Sequence, residues 1–142
     1  MKSNPQIFVI YFLRLALSAS FLSAVADRFG FWGVAGAPGV AWGNFDSFTA
    51  YTGTLIPLAP MAVIPAMAWL ATVLEVILGL LLIVGFRIRD VALLSGLLLL
   101  VFALSMTFTL GIKAPLDYSV YSASAAAFAL YVLLPTKPRR RN

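Results

Sequence analysis

The sequence predicts an all-α membrane protein: a bundle of four transmembrane helices with an aromatic-rich extracytoplasmic loop or interfacial helix between helices 1 and 2. Three observations carry this. Of 142 residues, 62% are hydrophobic and 11% charged, with a mean hydropathy of +0.99, far more apolar than a soluble domain of this size. The apolar residues gather into four runs, at residues 7–26, 62–86, 91–110 and 118–134, close to the roughly 20 helical residues that cross a hydrocarbon core. The basic residues lie on alternate connections between those runs, which is the pattern that orients membrane helices.

Residues 7–26 form the first span, interrupted only by Arg14 and several serines. Lys2, Arg14 and a small-residue stretch at Ala24-Val25-Ala26 also fit a secretory signal, but a retained helix is the expectation. The connection from Asp27 to Met61 holds Phe29, Phe31, Trp32, Trp42, Phe45, Phe48 and Tyr51. Aromatics of this kind favour the headgroup level. Asn44 followed by Phe45, Phe48 and Tyr51, with Gly53 as a stop, makes either a short interfacial helix or a loop packed over the bundle mouth.

The second span, residues 62–86, is apolar apart from Thr72 and Glu75, with Pro65 near its start. A turn at Arg87, Arg89 and Asp90 is short enough to force an antiparallel hairpin with the third span, 91–110. Residues 111–117 connect to the fourth span, with Asp117 placed to start that helix. Pro135 and Pro138 end it, and residues 135–142 form a basic tail. Lys2, Arg87, Arg89, Lys137, Arg139, Arg140 and Arg141 fall on one side, against Arg28 and Lys113 on the other, so both termini are expected in the cytoplasm. The net charge of +5 is explained by orientation and anionic headgroups, and no nucleic acid is expected as a partner.

The chain contains no cysteine and no histidine. Thiol nucleophiles, disulfides, His-ligated haem, Cys-held iron–sulfur clusters and ordinary zinc sites are thereby excluded from it. No catalytic triad or phosphate loop is present either. The chemistry must centre on intramembrane charge. A carboxylate mid-span costs roughly 2.5–3.5 kcal/mol on insertion scales, so Glu75 needs a partner. Arg14 lies about 10 Å along its helix from the cytoplasmic end and Glu75 about 16 Å, a mismatch that an arginine side chain spans. An Arg14–Glu75 pair is therefore expected, either as a neutralising structural pair or as the lining of a polar pocket for a quinone headgroup or another small ligand.

Small residues recur at helical spacing in Ala16, Ser20, Ser23 and Asp27, in Ala68, Thr72, Glu75 and Gly79, and in Ser119, Ser122, Ala123, Ala126 and Ala127. Such faces suit bundle packing or a homo-oligomer contact. At the outer mouth Asp27, Arg28, Asp46, Lys113 and Asp117 can converge with Trp32 and Trp42, but their spacing matches no metal motif and no metal is expected.

An Arg in the first span (YFLRLALSASF), the charged end of that span (ADRFGFWG), the Glu-bearing second span with its basic turn (ATVLEVILGLLLIVGFRIRD) and GIKAPLDYSVYSASAAA before the last span together resemble the DoxX family of small four-helix membrane proteins. The resemblance covers nearly the whole chain. It implies a bundle in a bacterial inner membrane, associated with quinone-linked oxidoreductases such as thiosulfate:quinone oxidoreductase, or with recruitment of soluble redox partners. Arg14 and Glu75 match the family's intramembrane charges, and Arg28 sits near a position where many members carry Lys. The Asp27-Arg28 pair and the long aromatic connection depart from the family pattern. The expected function is an accessory or anchoring subunit of a redox system, without its own redox centre or catalytic activity. The alternative is a binding or transport protein for a small quinone-like or lipid-like molecule held non-covalently near Glu75.

Overall fold

The computed structural model describes residues 5–135 and is built of helices: α1 (Pro5–Arg28), α2 (Phe45–Leu55), α3 (Ile64–Val84), α4 (Ile88–Leu110), α5 (Lys113–Asp117) and α6 (Val120–Leu133). A single 3₁₀ turn at Met61–Val63 leads into α3. α1, α3 with this leading turn, and α4 are each long and apolar enough to cross a membrane. α6 is apolar but has 14 residues, about 21 Å at 1.5 Å per residue.

Local chemistry sets the boundaries. α1 runs two residues beyond the predicted end, to Arg28, and closes where Gly30 adopts φ +77. Phe31 N–H reaches Ala26 O and Gly30 N–H reaches Asp27 O, both at 3.0 Å, which is the Schellman arrangement. Asn44 caps α2 by accepting from Ser47 N–H at 2.8 Å, and α2 continues past Gly53 to Leu55. Pro65 occupies the first turn of α3, where its missing N–H costs nothing. Gly85 ends α3 at φ +83, so Arg89 and Asp90, predicted as turn, belong to α4. Asp117 does not start the last helix. It closes the short α5, and α6 begins only after Ser119, which holds a left-handed φ of 56. The basic tail residues Lys137, Arg139, Arg140 and Arg141 lie outside the described residues.

α1 packs antiparallel on α3 and α4 antiparallel on α6, with the pairs α1–α6 and α3–α4 closing the bundle. Each main pair crosses at a serine–glycine contact. Ser18 Oγ donates to Gly79 O and Ser124 Oγ to Gly96 O, both at 2.8 Å and both buried. A Cβ on Gly79 would come within 3.1 Å of Leu22, and one on Gly96 within 2.8 Å of the Phe128 ring. These glycines set how closely the backbones approach.

The expected stripe on α3 is buried throughout, at Ala68, Thr72, Glu75 and Gly79. On α1 the inward face is instead Leu17, Ser18 and Phe21, and Ala16 and Ser20 are exposed. Ser20 Oγ returns its hydrogen bond to Ala16 O, so it needs no partner helix, while the larger residues supply core volume. On α6 the buried residues are Ser124, Ala127 and Leu130, with Ser122 exposed. The packed core of Leu78, Leu82, Val91, Ala92, Ala127 and Leu130 fills the half of the bundle nearest the α3–α4 turn. The other half buries Phe48, Ala68, Ala103 and Met106 but leaves space unfilled beside them.

Candidate functional site

Asp27 and Arg28 are neighbours at the last turn of α1, both buried, and their side chains serve opposite directions. The Asp27 carboxylate accepts the backbone N–H groups of Ala41, Trp42 and Gly43 at 2.8–2.9 Å. Three bonds to one anion fold the connection back over the end of α1. Gly43 makes the fold feasible: at φ +70 a Cβ there would lie 2.2 Å from Ala35 N, closer than any side chain permits.

Arg28 turns into the bundle. Its Nη2 lies 2.5 Å from Glu75 Oε2, with both side chains under 5% exposed, and its Nη1 donates to Thr72 Oγ1 at 2.8 Å. The Thr72 hydroxyl in turn donates to Ala68 O at 2.8 Å. The guanidinium also lies over the Phe48 ring, 3.6 Å from its centroid, and 5.3 Å from that of Trp42, within the roughly 6 Å range of cation–π attraction. Two carboxylates, one hydroxyl and two aromatic rings thus join α1, the connection, α2 and α3. Among the described residues Arg28 Nε is buried without a hydrogen-bond partner.

The predicted Arg14–Glu75 pair is therefore corrected to Arg28–Glu75. The Ser18–Gly79 contact fixes the register and sets Arg14 opposite the end of α3. Its Nε and Nη2 donate to the carbonyls of Leu82 and Ile83 at 2.9 Å. There the cation caps carbonyls that lack helical partners and meets the negative end of the helix dipole. Measuring from predicted span ends concealed this, because α1 is longer at its far end than the apolar run. The signal that could have found it is Gly30, a helix stop placed two residues beyond Arg28.

The proposed outer-mouth cluster divides in the same way. Asp27, Arg28 and Trp42 come together. Trp32 is exposed and donates from Nε1 to Ser23 O at 3.1 Å. Lys113 and Asp117 pair with each other along α5, where the i,i+4 spacing makes that the nearest partner. Asp46 lies in the first turn of α2. Among the described residues no group of three His, Cys, Asp or Glu gathers.

The less tightly filled half of the bundle holds a cavity of about 620 Å³, with Arg28 and Glu75 at its wall. Phe21, Trp42, Phe48, Met67, Phe102 and Met106 supply apolar surface, and Tyr51, Ser105 and Tyr118 add hydroxyls. Burial, with a smaller contribution from Tyr118, pushes the Tyr51 phenol above its ordinary 10.0, so at neutral pH it remains a hydroxyl able to donate. The volume falls within the roughly 300–1,000 Å³ of small-molecule sites, which are apolar with a few placed polar groups.

Fold and site together define an all-helical membrane protein with a cavity beside a buried ion pair. Comparison with protein-family models, curated proteins and solved structures returns no match for this chain.

Proposed function

We propose that this chain is a DoxX-like, four-span protein of a bacterial inner membrane that binds a small uncharged amphiphile, quinone-like in character, in the cavity at Arg28 and Glu75. The observation that carries the proposal is the cavity itself. The ion pair is itself sealed, with both side chains under 5% exposed, yet it stands beside a 620 Å³ space lined by apolar side chains and the Tyr51, Ser105 and Tyr118 hydroxyls, room that fixing helix register does not require. Because the pair neutralises itself, a charged headgroup would sit uncompensated beside it in a low dielectric, and a neutral oxygen-bearing one fits better. In this reading α6 is the fourth span, tolerated at 14 residues by local thinning of the bilayer. The basic end, with Arg14, Arg87 and Arg89, faces the cytoplasm and α2 lies at the outer interface. The motif resemblance supports an accessory role beside a quinone-linked oxidoreductase, in which the ligand is held here while electrons move elsewhere.

The test is native mass spectrometry of protein extracted with its own lipids, comparing wild type with Ala123→Trp, which fills the cavity without touching the ion pair. Wild type should carry a small molecule that the folded variant loses. A wild type that carries none, or a variant that retains it, overturns the binding reading.

A further inference from the structure

The cavity has a neighbour. A second hollow of about 520 Å³ lies on the outer side of α4, and Leu55, Ile56, Val101 and Ser105 line both spaces. Its remaining wall includes Leu58, Leu104 and Phe108, and Leu58 and Phe108 are almost fully exposed. α4 is long and apolar enough to cross a membrane, so in a bilayer this exposed face meets hydrocarbon. The end of α2 and the outer half of α4 therefore form a wall shared by the ion-pair cavity and a space open to the lipid.

Resting on the binding reading above, we infer that this shared wall is a lateral portal, and that the ligand carries a hydrocarbon chain which lies through it into the bilayer while its neutral headgroup occupies the cavity. The argument is one of continuity and polarity. The cavity has Tyr51 in its lining with the Arg28–Glu75 pair sealed beside it, the shared wall is apolar at Leu55, Ile56 and Val101, and the outer space adds lipid-facing Leu104 and Phe108. That order matches a headgroup followed by an alkyl or isoprenoid chain. A tailless ligand would leave the apolar passage empty or wet. Quinones and monoacylglycerols share this chemistry, and the probes below separate them.

The absence of cysteine makes a reversible gate available. In the Ile56→Cys/Val101→Cys double variant, reconstituted as the full chain in phosphatidylethanolamine vesicles, a short bis-methanethiosulfonate linker closes the portal and reduction reopens it. The probes are a decyl-substituted benzoquinone, the same ring without the chain, and monodecanoylglycerol. At least one chain-bearing probe should bind the open form, and closure should weaken it by about tenfold or more, the equivalent of roughly two buried methylenes. The tailless ring should bind open and closed forms alike, and reduction should restore the chain-bearing probe, which rules out misfolding. Preference for the quinone or the glyceride identifies the headgroup. Equal binding of a chain-bearing probe to open and closed forms overturns the portal while leaving the cavity intact. No binding of any probe to the open form overturns the cavity reading and the portal with it.

Discussion

Arg28 and Glu75 illustrate how a buried pair differs from its members. Removing one partner strands a charge in a low dielectric, at a cost of about 3–5 kcal/mol, whereas replacing both with apolar residues is often neutral. Arg28→Met and Glu75→Leu should each lower the unfolding midpoint in mixed micelles substantially, and the double variant should recover most of the loss. Single variants as stable as wild type would show the pair to be energetically idle. Asp27→Ala should act locally: the N–H groups of Ala41, Trp42 and Gly43 lose a charge-assisted acceptor, each such bond being worth about 1.5–3 kcal/mol. Hydrogen exchange at those three amides should accelerate while the amides of α3 stay protected.

The helices are joined at points where small residues permit contact, so substitutions there act on element packing. Gly96→Ala drives a methyl into the Phe128 ring, and overpacking of this kind costs about 1–3 kcal/mol. Phe128→Leu in the same chain should restore part of that stability by freeing the space. At Gly79 the neighbour is the flexible Leu22, so Gly79→Ala should be the milder of the two in the same unfolding assay. Gly85 combines two requirements. Its left-handed φ ends α3, and a Cβ there would lie 2.7 Å from Arg14 Nη2, so any side chain displaces the cap as well as straining the turn.

The bundle has two unlike ends. At one, Arg14 binds the last carbonyls of α3 and Arg89 Nη1 donates to Leu134 O at 2.7 Å. At the other, α2 and the folded connection cover the cavity. Four spans would place Phe86 and Pro135 on one side of the membrane and Ala35 and Leu116 on the other. Single cysteines at these four positions should separate accordingly in intact cells. A membrane-impermeant maleimide should label Ala35→Cys and Leu116→Cys from outside and leave Phe86→Cys and Pro135→Cys unlabelled until the cells are opened. Labelling of Pro135→Cys from outside would show that α6 does not cross.

The all-helical class, the three long apolar helices and the buried stripe on α3 were legible in the chain itself, because length, hydropathy and helical spacing are local properties that a bilayer reads directly. That Glu75 requires a partner was legible too, since the cost of an unpaired intramembrane charge depends on little else. Which arginine answers it was not. The choice between Arg14 and Arg28 depends on the register of α1 against α3, fixed by Ser18 at Gly79, and on how far α1 continues past its apolar run. The cavity was equally hidden, for it is the space left where α2, α3, α4 and α6 fail to fill the bundle beyond the packed core. Register and unfilled volume are relations between helices distant in sequence, and only the tertiary structure sets them.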